Sequence, residues 1–123
     1  MPSKSYELHG VRVLECDPNE KQLRNYNEAV ELIGKAFENR ASLILVPAEC
    51  LDDDFFRLST GIAGELIQKV VQYRYRLVIV GDISRHLAES SALRAFVLES
   101  NRGKEVWFLA TREELDERLA RAV

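Results

Sequence analysis

The chain has 123 residues, and its 17 Lys and Arg against 20 Asp and Glu give a formal net charge of −3 at pH 7. That length fits one domain, residues 1-123, which can bury a hydrophobic core without a metal ion or a disulfide. The charge balance argues against a nucleic-acid partner, which calls for a basic surface, and no apolar run is long enough to span a membrane.

The first predicted element is a β-hairpin. Apolar residues recur through Tyr6–Cys16, and His9-Gly10 supplies a turn between two short strands. Asn25 or Asn27 can cap the helix that follows, because either side chain can accept from the free amides of a first turn. Gly34 either weakens this helix slightly or marks a close approach to the sheet. The predicted inner face of this helix has Ala29, Val30, Ile33, Ala36 and Phe37 at helical spacing, and Leu23 and Leu32 widen this apolar stripe.

Two continuous apolar runs, Leu43–Val46 and Leu77–Val80, predict strands that are buried on both faces. A third run, Glu105–Ala110, is the last predicted strand. Apolar residues at helical spacing predict helices over Thr60–Tyr73 and Ala92–Ser100.

Helix-end signals complete the predicted order of elements. Ser91 is the expected N-cap of the helix over 92–100, and Gly103 is expected to follow it in a left-handed conformation. Thr111 and Glu114 form a capping box for a last helix. The polar segment 84–91 is expected to be irregular, with one helical turn near its middle. The order ββαβαβαβα predicts an α/β fold: a single mixed, mostly parallel sheet with an N-terminal β-hairpin and helices on the sheet.

Hydroxyl and small side chains precede the second helix. Ser59 and Thr60 lie where free amides and the helix dipole favour an anion, or one of them simply caps the helix. Gly61 and Gly64 either let the helix pack closely on the sheet or form a flat patch that a partner can approach.

Acidic side chains follow two of the predicted strands, where ligands gather in open α/β sheets. Asp53 and Asp54 follow the first of these strands, and Asp82 and His86 follow the second. They define a possible ligand crevice, although a solvated acidic loop is the simpler interpretation. The acids lack the spacing of a calcium loop, so we expect no metal, and no triad spacing supports a catalytic role for His86.

Two further features bear on the cellular compartment. The N-terminal segment lacks the apolar stretch of a signal peptide, so we expect a cytoplasmic protein. Cys16 and Cys50 match no metal-ligand or redox motif, and we expect both to be free thiols that pack in the core.

Several short sequence motifs spread over the chain resemble those of an uncharacterised bacterial family, the domain of unknown function 4180. They are Asp54-Phe55-Phe56, Leu58 with Thr60–Glu65, Val80-Gly81-Asp82, and Glu99-Ser100-Asn101 followed by Gly103. The resemblance covers nearly the whole chain and implies no particular activity.

From Leu43 onward the element order is similar to the STAS fold of anti-sigma-factor antagonists. In that family the turn before the helix reads Asp-Ser-Ser-Gly-Leu, and its first Ser is phosphorylated. The matching segment here is Leu58–Ile62, in which Leu58 replaces the Asp. The resemblance implies a regulatory hydroxyl at Ser59 or Thr60 and a partner protein.

We therefore predict a non-enzymatic regulatory module without a cofactor, which binds a protein partner or a second copy of itself through the surface Ser59–Gly64. The alternative is a domain that binds a small molecule or an anion in the crevice between Cys50–Asp54 and Asp82–His86. A weaker third hypothesis is a metal-assisted hydrolase that uses the same acids.

Overall fold

A computed structural model describes residues 3–122 and contains one five-stranded sheet. Its strands are β1 (Ser3–Leu8), β2 (Val11–Cys16), β3 (Leu43–Pro47), β4 (Arg76–Val80) and β5 (Val106–Leu109). They are ordered β1-β2-β3-β4-β5, with β1 antiparallel to β2 and every other neighbouring pair parallel. The predicted α/β class, the N-terminal hairpin and the mixed, mostly parallel sheet are confirmed.

Within residues 3–122, six α-helices connect and cover these strands: α1 (Tyr26–Glu38), α2 (Asp53–Phe56), α3 (Ile62–Gln72), α4 (Ser84–Glu89), α5 (Ser91–Arg102) and α6 (Arg112–Ala122). Short 3-10 turns lie at Ala48–Cys50 and Leu58–Thr60. Helix α4 occupies most of the segment that was predicted to be irregular. Within 3–122, no helix has the length and apolar character needed to cross a membrane.

The two faces of the sheet carry separate hydrophobic cores. On one face, Leu14, Ile44 and Leu77 pack with buried side chains of α1, α3 and α5. On the other face, α6 is the covering helix, and its Leu115 and Leu119 pack above the side chains of Val13, Leu43, Leu45, Val78 and Trp107. Successive strand residues point to opposite faces, so the continuous apolar runs of β3 and β4 are buried on both sides, as predicted.

A buried carboxylate fixes the start of α6. The side chain of Glu15 is only 3% exposed and forms an ion pair with Arg112, the first residue of α6. The Tyr6 hydroxyl donates to Glu15 at 2.7 Å. These partners satisfy a charge that would otherwise be costly to bury.

The prediction for the inner face of α1 is wrong at two positions. Val30 is 44% exposed and Phe37 is 78% exposed, because α1 turns the sector of Ala29, Leu32, Ile33 and Ala36 toward the core. Gly34 also has no atom within 4 Å of the place where a Cβ would lie, so it marks no close approach to the sheet.

The helix ends differ from prediction in detail. Asn25 caps α1, accepting from the backbone N–H of Glu28 at 3.0 Å. Ser90 rather than Ser91 caps α5, because its Oγ accepts from the amide of Leu93 at 3.0 Å. Gly103 follows α5 with φ −89° and ψ −165°, which is extended and not left-handed.

Candidate functional site

The predicted crevice exists as a cleft of about 790 Å³, within the range of natural ligand pockets. It lies where the parallel neighbours β3 and β4 end, which is the usual place for ligands in open α/β sheets. Its lining includes all four predicted crevice residues, Asp53, Asp54, Asp82 and His86, together with Lys21, Ala48, Glu49, Leu51, Asp52, Phe56, Val80, Gly81, Ile83 and Arg85.

A glycine directly after β4 brings the two walls of this cleft together. Gly81 has φ +149°, a conformation that side-chain-bearing residues rarely adopt. A Cβ at this position would lie 2.7 Å from the Cβ of Ala48 and 3.4 Å from its backbone nitrogen. Only glycine therefore permits the loop after β4 to touch the turn after β3.

An ion pair and an aromatic stack form one side of the cleft. Arg85 Nη2 lies 2.7 Å from Asp53 Oδ1, and this contact holds the pKa of Asp53 below its usual value. The His86 ring stacks on Phe56 with ring centres 4.3 Å apart and planes 17° from parallel. Burial, and then the positive charge of Arg85, lower the pKa of His86, so its imidazole is neutral at pH 7.

The other predicted acids of the cleft are held in place by near neighbours in the chain. Asp82 Oδ1 accepts from the Ser84 amide at 2.9 Å and from the Ser84 hydroxyl at 2.6 Å, and these bonds lower the pKa of Asp82. Asp54 pairs with Arg57 at 2.9 Å. Both carboxylates are therefore held in place by these neighbours.

Carboxylates outnumber cations in the cleft. Among the described residues, five acids line it, namely Glu49, Asp52, Asp53, Asp54 and Asp82, and two cations, Lys21 and Arg85. Lys21 is already 3.2 Å from Asp52. Across residues 3–122, no group of three or more His, Cys, Asp or Glu side chains is arranged to hold a metal ion. The open cleft is thus negative in charge.

Neither predicted hydroxyl is the N-cap of α3. The N-cap is Gly61, whose φ of +77° is left-handed, and it makes no side-chain cap bond. The Thr60 hydroxyl is directed backwards, toward the carbonyl oxygens of Arg57 at 2.8 Å and Asp54 at 3.0 Å. Thr60 therefore lies one residue before the N-cap, and its Oγ1 also accepts from the backbone N–H of Ile62, the first residue of α3, at 3.3 Å, so Thr60 satisfies one free amide of the helix while it closes the preceding turn.

The surface Ser59–Gly64 is open, with Ser59, Thr60, Gly61 and Gly64 all exposed. A Cβ on Gly61 or Gly64 would meet no atom within 4 Å, so these glycines do not serve close packing on the sheet. Ser59 lines a hollow of about 360 Å³ that borders the cleft. The cleft and the hollow have four lining residues in common: Asp53, Phe56, Arg85 and His86.

Both cysteines are free thiols, and each residue is 1% exposed. Burial raises the pKa of Cys16 to about 12 and that of Cys50 to about 11. The Cys50 thiol donates to the Asp17 carbonyl at 3.2 Å. Both sulfurs stay protonated at neutral pH, which removes the nucleophilic thiolate form.

Several residues of the cleft wall escaped prediction from sequence. Phe56 and Lys21 became part of the site only through tertiary contacts, and Arg85, which lies within the predicted segment Asp82–His86, was not expected to pair with Asp53. Gly81 carried a usable signal, because a glycine placed directly after a buried strand often marks a close backbone approach.

Comparison with known proteins identifies the family but not an activity. No curated protein and no solved structure matches the chain. The similarity to the STAS fold of anti-sigma-factor antagonists accordingly gains no support from these comparisons. One family model matches residues 8–119, which is nearly the whole chain. The chain therefore belongs to the family described as Domain of unknown function (DUF4180).

Proposed function

We propose that this domain binds a small organic cation in the cleft at the ends of β3 and β4. The observation that carries the proposal is the cleft itself, an acidic cavity of about 790 Å³ formed by loops that Gly81 and Ala48 bring into contact. Its size suits a ligand of small-molecule dimensions. The sign of its charge favours a positive ligand over the anion that was the other possibility from sequence.

Two acids of the cleft form no ion pair with any residue that the structure describes, which supports a positive ligand. Lys21 and Arg85 are engaged by Asp52 and Asp53. Within 3–122, neither Glu49 nor Asp82 has a Lys, Arg or His nitrogen within 4.0 Å. A ligand ammonium or guanidinium group would supply the missing charge, and charge-assisted hydrogen bonds to carboxylates are among the strong ones.

The remaining lining supports an apolar body on the same ligand. Phe56 and the neutral imidazole of His86 form a continuous stacked surface, and Leu51 and Ile83 also line the cavity. Because His86 is uncharged, it does not offset the attraction of the acids for a cation. A molecule with one amine and one apolar group matches both parts of the lining.

We propose binding without catalysis. The geometry that supports this is the separation of the candidate groups: His86 Nε2 is 3.8 Å from Asp53, beyond hydrogen-bond reach, and the Ser84 hydroxyl donates to Asp82. No base and nucleophile pair resembling a triad is formed by these side chains. We also propose that the protein acts in the cytoplasm, which the two free thiols support.

Isothermal titration with a panel of primary amines, and with carboxylic acids of matched size, tests the proposed ligand class. Asp82→Asn should weaken binding of the best amine at least tenfold, about 1.4 kcal/mol, since it removes a charge but keeps the shape. Asp116→Asn is the matched control, because Asp116 pairs with His9 and does not line the cleft. Binding of acids in preference to amines, or equal affinity in both variants, would refute the proposal.

A regulatory protein-binding module acting through Ser59–Gly64 is the second candidate. The observation that favours it is the wall of Asp53, Phe56, Arg85 and His86, which separates the hollow at Ser59 from the cleft. A partner bound at Ser59 would contact the same side chains as a ligand in the cleft. Ser59→Asp should leave the melting temperature nearly unchanged but lower the affinity for a captured partner protein at least tenfold. Ser59→Ala should leave that affinity unchanged. Equal affinity in both variants would exclude this role.

A further inference from the structure

Two arginines contact the indole of Trp107 at the opposite end of β4 from the cleft. The guanidinium carbon of Arg76 is 4.6 Å from the ring centre, and that of Arg118 is 4.1 Å from it. Arg76 is the first residue of β4, whereas the cleft begins at Val80, about 13 Å along the strand. This cluster is therefore distinct from the cleft and comes from three distant segments of the chain.

Among residues 3–122, no acidic side chain forms an ion pair with either arginine of this cluster. Across the described part of the chain, no carboxylate oxygen lies within 4.0 Å of either guanidinium, although Glu117 and Glu114 border a hollow beside Arg118. Each arginine donates instead to a backbone carbonyl: Arg76 to Lys104 at 2.8 Å and Arg118 to Asn101 at 2.7 Å.

These contacts hold the two side chains in place but use few of their donors. A guanidinium has five N–H groups, so most donors of Arg76 and Arg118 are still available. Both residues are only partly buried, while Trp107 is 4% exposed. Burial and the charge of Arg118 lower the pKa of Arg76, as expected for two like charges held near one another. The arrangement is therefore held in place, partly exposed to solvent, and brings two like charges to one indole ring.

We propose that Arg76 and Arg118 bind a phosphate group carried by a small molecule or free in solution. Both guanidinium carbons contact the same indole ring, and a phosphate that reached N–H donors of both arginines would receive charge-assisted N–H to oxygen bonds of about 2.8 Å. Arginine suits this role because its planar fork matches phosphate geometry. The site goes beyond the proposed cleft function and shares no residue with it.

Trp107 makes the proposal directly measurable, because it is the single tryptophan of the chain. Inorganic phosphate is titrated into the full chain at fixed pH, with sodium chloride holding the ionic strength constant. We expect a saturable change in tryptophan fluorescence that chloride alone does not produce. A parallel titration with glycerol phosphate distinguishes the sources: tighter binding assigns the site to phosphate esters, and equal binding assigns it to free phosphate.

Substitutions test whether the fluorescence response to phosphate depends on the two arginines. Arg76→Gln should weaken the phosphate effect at least tenfold, and Arg76→Lys, which keeps the charge but loses the fork, should weaken it less. Arg24→Gln removes the same charge from an arginine already paired with Glu28 and should respond as wild type. The proposal is overturned if wild type responds to phosphate as it does to chloride, or if Arg76→Gln binds phosphate as tightly as wild type. The wild-type comparison stands even if a variant fails to fold.

Discussion

Replacing Gly81 by Ala places one methyl group where the two cleft loops meet. The new Cβ would lie 2.7 Å from the Cβ of Ala48, so one of the loops must move by several tenths of an ångström. Overpacking of this kind costs about 1–3 kcal/mol. The φ of +149° adds about 1–3 kcal/mol, because a residue with a side chain rarely adopts it. We expect Gly81→Ala to lower the free energy of unfolding by about 2–4 kcal/mol after partial relaxation.

Thermal unfolding followed by circular dichroism measures this cost. A loss of 2–4 kcal/mol corresponds to a melting temperature roughly 10 °C lower in a chain of this size. Gly34→Ala is the matched control, since Gly34 is helical and has open space at its Cβ position. It should be neutral or stabilising by up to about 1 kcal/mol. A melting temperature of Gly81→Ala within 2 °C of wild type would refute the contact with Ala48, a threshold taken from the same scale.

Three further changes test other parts of the structure. Gly61→Leu should lower stability by about 1–2 kcal/mol through its left-handed φ of +77° rather than through a collision, and an unchanged denaturant midpoint would contradict this. Replacing Cys16 and Cys50 together by Ser should keep the fold with a modest loss of stability, and thiol titration of wild type should be slow until it unfolds. Arg85→Gln should raise the pKa of Asp53 toward its ordinary value in a carboxyl-carbon NMR titration. Because Arg85 depresses that pKa, the pair stabilises the fold at neutral pH, and this stabilisation is lost as the pH falls through the folded pKa of Asp53. The free energy of unfolding of Arg85→Gln should therefore lack this part of its dependence on acid pH.

The sequence by itself determined the order and type of the main elements, because local periodicity carries that information. The runs Leu43–Val46 and Leu77–Val80 lack the alternation of a half-exposed strand, and both strands are buried on two faces. The same reasoning located the cleft. Asp53, Asp54 and Asp82 follow parallel strands, and the carboxyl ends of parallel neighbours meet at one edge of a sheet.

Tertiary structure alone decided which sector of a helix faces inward. The apolar stripe of α1 is wider than the part of the helix that packs on the core, and as a result Ala36 is buried whereas Phe37 is exposed. The tertiary structure also decided which residue is the N-cap of α5. Ser90 and Ser91 are equally suitable from sequence, but the Ser90 hydroxyl is the one that accepts from the Leu93 amide.

The contacts that give the two proposed sites their chemistry join residues far apart in the chain. Arg85 reaches Asp53 across 32 positions, and His86 stacks on Phe56 across the same cleft wall. The two arginines that contact Trp107 belong to β4 and α6. Local propensity has no information on such pairs, because their distances depend on how the sheet twists and how the helices are seated on it. The tertiary structure therefore determines which side chains form ion pairs and hydrogen bonds at both sites.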